Sequence, residues 1–185
     1  PGMGQQTVNL PLHVLDVRVT VPRDLRVSEA EVFYPLADIV WRGDPRGDRY
    51  AQIEAIYAAA VPAAIAPLTQ GVPVVAEIEV TRFHCVTDKT RYTVGGVNSL
   101  NFLLTIRHAE TGQILSGPRK VVASAPAPGG QAAIAQDYAG ITQKQVVTDR
   151  LATVIRRELR SLNVDPAVLG LPASQGTANP AALIQ

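Results

Sequence analysis

The densest grouping of chemically versatile residues is Trp41-Arg42-Gly43-Asp44-Pro45-Arg46-Gly47-Asp48-Arg49, which holds the only tryptophan of the chain. Tryptophan and arginine dominate the energetics of protein interfaces, because each combines a large apolar surface with directional donors. Trp41, Arg42, Arg46 and Arg49 are therefore candidate partner-binding residues. The same stretch admits a structural reading that its spacing fits better. Asp48 caps a following helix, the arginines pair with Asp44 and Asp48, and Trp41 enters the core.

The remaining groups give little support for catalysis. His13, His84 and His108 stand far apart in sequence, with no carboxylate at a metal-ligand spacing, and the default reading is a surface or strand-end histidine. Cys85 follows His84 directly, so on a strand the two side chains point to opposite faces; a buried structural thiol is expected in place of a nucleophile pair. The nucleophile-elbow, zinc-helix and phosphate-loop patterns are all missing from the sequence. Tyr92-Thr93-Val94-Gly95-Gly96 lacks the setting of a dinucleotide site and reads as a glycine-permitted loop or bulge. No catalytic, cofactor or metal residue is assigned, and the expectation is a protein that is not an enzyme.

Charge narrows the partners. Seventeen basic and sixteen acidic residues leave a formal charge of +1, which gives no electrostatic basis for binding nucleic acid or anionic lipid. Charged residues make up only 18% of the chain, so some surface is expected to lie under a partner. The single cysteine excludes an intramolecular disulfide. Pro62, Pro67 and Pro73 interrupt the longest apolar stretch, short of the ~18 residues that span a bilayer. The opening Pro1-Gly2-Met3-Gly4-Gln5-Gln6 lacks the basic and apolar regions of an export signal, and the expectation is that any such signal has been removed.

The elements that must position these residues follow from periodicity. Alternation over Val14–Val21 predicts a strand with Leu15, Val17, Val19 and Val21 on one face. Ile39-Val40-Trp41 is a short edge strand or a tucked loop. Ile53, Ile56, Tyr57, Ala60, Val61, Ala64, Ile65 and Leu68 share one helical stripe, with a kink or early end near Ala59 because Pro62 removes a hydrogen bond. Strands follow at Val74–Val80, with a bulge near Arg82-Phe83, and at Leu100–Ile106. The Glu110–Gln113 loop leads to a bulged or edge strand beginning at Ile114, since Gly117-Pro118 fits poorly in a central ladder. Gln131–Tyr138 is a short helix. Thr142 caps a longer one with Val146, Val147, Leu151, Val154, Ile155, Leu159 and Leu162 on its apolar stripe, stopped by Asn163. The expected fold is α+β, a mostly antiparallel sheet of about four strands with two main amphipathic helices on one face.

Four segments resemble a family of uncharacterised alphaproteobacterial envelope lipoproteins: Val17-Arg18-Val19-Thr20-Val21-Pro22, Ala37-Asp38-Ile39-Val40-Trp41-Arg42, Val80-Thr81-Arg82-Phe83 and Arg91-Tyr92-Thr93-Val94-Gly95-Gly96. The element order, Arg82-Phe83 and the Glu110-Thr111-Gly112 hairpin are also similar to auxiliary lipoproteins of ABC-type and lipid-transport systems. These resemblances imply a periplasmic domain anchored to a bacterial membrane through a lipidated cysteine not present in this chain. They also imply assembly with itself or with an envelope partner.

On this reading residues 1–13 are an N-terminal tether, 14–163 a single domain and 164–185 a proline-rich tail. The apolar groups of the tail, Leu169, Leu171, Leu183 and Ile184, are further partner-binding candidates, expected to dock on a neighbouring subunit. A rival reading is a small-ligand or lipid-binding module, whose cavity would lie between helix and sheet where alanines 58–60 and 63–64 leave space.

Overall fold

The computed structural model describes residues 7–170 and is a mixed α/β fold with one six-stranded sheet and four α-helices. In chain order the elements are β1 (Val8–Thr20), β2 (Ile39–Val40), α1 (Arg49–Ile65), β3 (Val72–His84), α2 (Asp88–Arg91), β4 (Gly96–His108), β5 (Ile114–Ala127), α3 (Gln131–Tyr138), α4 (Gln143–Leu159) and β6 (Ser161–Val164). A single 3₁₀ turn, Pro166–Leu169, follows. Among the described residues no helix is long and apolar enough to cross a membrane.

The sheet order is β5-β4-β3-β1-β6, with β2 paired to the far end of β3. The meander β3-β4-β5 is antiparallel as expected from its short connections. The expectation of about four mostly antiparallel strands is corrected, however, because β1 and β2 both run parallel to β3. Parallel pairing needs a long crossover, and α1 with its flanking loops supplies it.

Two boundaries also move. Residues 8–13, expected to be tether, are the first half of β1 and pair with β6 from Val8↔Val164 to Pro11↔Ser161. Leu162 and Asn163 therefore belong to a strand and not to the last turn of α4, and the expected tail begins inside the sheet, with Val164 buried. Leu169, expected to reach a neighbouring subunit, is partly buried against the chain's own core. Leu171, Leu183 and Ile184 lie outside the described residues.

The core lies on one face of the sheet. Val74, Ala76, Ile78 and Val80 of β3 meet Leu100, Phe102, Leu104 and Ile106 of β4, and α1 and α4 close over them. A bulge after Val80 restores the inward direction of Phe83, as its sequence predicts. A second bulge, between Val14 and Asp16, overturns the simple alternation of β1: Leu15 is the extra residue and points to solvent. Helix α1 runs through Pro62 without an early end. The proline sits in the last turn, and the bond it cannot make is to the carbonyl of Ala58 on the exposed side. Ala60 and Ala64 are buried where α1 meets α4, and Arg156 caps α1 by donating to the carbonyls of Ala63 (2.5 Å) and Ala64 (3.4 Å). Ala60 and Ala64 thus bring two helices together, and the pocket described below lies elsewhere.

Candidate functional site

Between β1 and β2 the chain leaves the sheet in a loop whose ends are pinned together. Asp38 N and Ile39 N both donate to the Arg26 carbonyl, and the Asp38 carboxylate accepts from Arg26 N at 2.8 Å. Such compact loops with closed ends are frequent carriers of function.

Side chains from elsewhere hold the loop by its carbonyls. Arg42 donates to Ser28 (3.3 Å) and Ala30 (3.1 Å), and Thr87 Oγ1 donates to Val32 (2.9 Å). Thr90 Oγ1 donates to Phe33 (2.7 Å), and Arg82 to Ala37 (3.3 Å). His84 Nε2 lies 2.8 Å from the Pro35 carbonyl, which can only accept, so Nε2 carries the hydrogen. With its backbone turned inward, the loop turns its apolar side chains outward. Phe33 is 52%, Tyr34 63% and Leu36 82% exposed, and Tyr34 stacks on His84 at 4.5 Å.

The Trp41–Arg49 cluster supports this loop from beneath. Trp41 is fully buried, packs edge-on against Phe83 and donates to Asp44 (2.8 Å). Arg49, 4% exposed, makes a forked pair with Glu29 (2.8 and 3.0 Å), and Arg42 reaches Glu29 and Glu31 (3.4 and 2.5 Å). Hydrogen bonding from Arg49 outweighs partial burial and holds the Glu29 carboxyl below the usual carboxylate range. Asp48 caps α1 through Ala51 N and pairs with Arg23, while Asp44 pairs with Lys144 of α4. The expected partners of Arg42 and Arg49, Asp44 and Asp48, are thus corrected to Glu29 and Glu31. Arg46 alone of the three arginines stays at the surface.

A second lip faces the loop. Thr87 caps α2 through Thr90 N, and buried Arg91 ties α2 to α3 by its ion pair with Asp137 (2.7 Å). Arg91 and Tyr92 both donate to Asp137, which keeps that carboxyl below its ordinary range. The chain then turns at Gly95, whose φ of +70° suits glycine. Val94 (75% exposed) and Val97 (56%) stand at this lip. Before Ser99, β4 is not yet paired to β3; the side chain of Asn98 fills in by accepting from Val86 N and from Gln143 of α4.

Between the lips lies a pocket of about 520 Å³. Phe33, Tyr34, Val86, Val94 and Val97 supply its apolar walls, with His84, Cys85, Thr90 and Ser99 as the polar or polarisable groups. Cys85 is fully buried, and burial pushes its thiol far up, away from the thiolate that a nucleophile needs. Among the described residues no group of three or more His, Cys, Asp or Glu is placed to hold a metal ion.

Sequence reasoning placed His84, Cys85 and the Tyr92–Gly96 loop but did not bring them together, and it left residues 23–36 without a role. Thr87-x-x-Thr90, a capping spacing on a short helix, was the available signal for the second lip.

The Family of unknown function (DUF6778) matches residues 12–170. The chain belongs to this family. The match takes in both lips of the pocket and every strand except the first residues of β1. No curated protein matches the sequence. Among solved structures, the DUF6778 chain is similar to the crystal structure of protein XCC0632 from Xanthomonas campestris, of family DUF330, at 13% identity and a TM-score of 0.44, over 86% of this chain and 87% of that one.

Proposed function

We propose that this chain is a non-enzymatic binding domain of the bacterial cell envelope, and that it takes an apolar group of its partner into the pocket between the 32–36 loop and the 94–97 lip. One observation carries the reading. Buried Thr87, Thr90 and His84 satisfy the carbonyls of Val32, Phe33 and Pro35, so the loop keeps Phe33 and Tyr34 outside at the pocket with these three carbonyls bonded. An exposed apolar rim around a preformed cavity is the usual form of a binding site. The envelope setting, with a periplasmic location and a lipid tether, rests on the resemblance of residues 17–22, 37–42, 80–83 and 91–96 to envelope lipoproteins.

The test is titration with the apolar fluorophore anilinonaphthalene sulfonate. Saturable one-to-one binding is expected, lost in Phe33→Asp and Val94→Asp variants whose melting temperatures match the parent. Failure to saturate, or undiminished binding by both variants, would remove the pocket from consideration.

A second reading, self-assembly, is favoured by exposed Leu36, Val122 and Tyr138, which line no part of the pocket. Mass in solution across a concentration series decides it, with a strict monomer as the contrary result.

A further inference from the structure

We infer that the occupant of this pocket is the alkyl chain of a single-chain amphiphile, an inference that rests on the pocket being the binding site. Among the described residues no Asp, Glu, Lys or Arg lines the cavity. A charged group driven between such walls would lose its hydration without gaining an ionic partner, whereas each methylene leaves water at a gain. Outside the lining, Lys89 lies 4.4 Å from the Phe33 ring, and its chain neighbour, of opposite charge, is the exposed Asp88. The head group is therefore not selected by charge, and affinity resides in the chain.

The cavity is also held open before anything enters. A Cβ on Gly96 would stand 3.2 Å from Val86 Cγ1 and 3.7 Å from Thr90 Cγ2, two of the lining residues, so a larger side chain here would crowd the cavity. Its neighbour Gly95 is locked: its N–H donates to the Thr90 carbonyl at 2.8 Å, and a Cβ on Gly129 would fall 2.2 Å from Gly95 N. Backbone thus packs on backbone behind the lip. Little chain needs to be ordered on binding, and a volume of about 520 Å³ falls within the roughly 300–1,000 Å³ of small-molecule sites.

The experiment titrates the whole chain, by calorimetry below the micelle concentration, with straight-chain alkanoates from octanoate to tetradecanoate and with the matching alcohols. The dissociation constant is expected to fall about fourfold per methylene until the cavity is full, with acid and alcohol of equal length within about threefold of each other. Amide shifts should map to Phe33, Tyr34 and Val94–Ser99. Val94→Asp, at an exposed position, should weaken the longest chain by about tenfold or more, and Gly96→Ala should act in the same direction by crowding the cavity. Affinity independent of chain length, binding by the alkanoates alone, or full affinity in Val94→Asp would each overturn the inference. If the fluorophore binds and is lost in Val94→Asp while no alkyl chain does so, the pocket stands and a protein side chain replaces the amphiphile as its occupant. If neither binds, both readings fall together.

Discussion

The helix-covered face of the sheet and the 27–38 loop solve the same problem in opposite ways. On the covered face, backbone groups are satisfied by the sheet and helix ladders, and the apolar side chains point inward until Phe102, Ile155 and their neighbours are fully buried. In the loop, side chains of Arg42, Thr87, Thr90 and His84 reach in to satisfy carbonyls, and the apolar side chains point out. The first region is held by area removed from water, the second by directed bonds. A region held by directed bonds leaves its apolar surface free for something else to cover.

The sharpest way to break this contrast is to truncate one phenylalanine from each region. Phe102→Ala should cost about 3–5 kcal/mol in denaturant unfolding, and Phe33→Ala no more than about 0.5 kcal/mol, the range of surface positions. A large loss from Phe33→Ala would mean that the loop is part of the core after all.

Next in size is the loss of a single inward bond. Thr90→Val keeps the shape of the side chain but leaves the Phe33 carbonyl without its donor, at an expected cost of about 1–3 kcal/mol. Hydrogen exchange should rise at Ser28, Ala30, Asp38 and Ile39, the loop amides that are hydrogen-bonded, and remain unchanged in β3 and β4. Uniform destabilisation would show that the loop is not a separate unit.

The smallest effect concerns pH. Folded Glu29 titrates below its unfolded value because Arg49 hydrogen-bonds the carboxylate. The stabilisation it provides is complete above the unfolded pKa of about 4.3 and is lost as pH falls toward the lower folded value. The stability difference between the parent and Glu29→Gln should therefore be largest near neutrality and shrink below about pH 4. A difference that grows on acidification would contradict the assigned direction.

Much of the first region was legible in the sequence. Alternation in β4, the bulge before Phe83, the hairpin at Gly112, the edge position of β5 and the Thr142 cap of α4 all depend on residues close in sequence, where period and turn chemistry act directly. The errors begin where two equivalent local patterns compete. Leu15 alternates correctly, and only the register against Val74 and Val75 makes it the bulged residue. Leu162 continues the α4 stripe, and only pairing with Leu10 makes it a strand residue.

The site lay further from view. Arg42 and Arg49 were visible as a cluster, but their partners Glu29 and Glu31 could not be chosen over the nearer Asp44 and Asp48 without knowing how the loop folds back. Residues 31–36 have no period, because their direction is set one carbonyl at a time by Thr87, Thr90 and His84, some fifty positions away. By itself, then, the sequence determined α1, α3 and α4, the meander and the burial of Trp41 beside a capping Asp48, all products of local periodicity and capping. Only the tertiary structure decided the parallel insertion of β1, the inside-out loop and the pocket, because each depends on contacts between segments whose separation along the chain leaves no local signature.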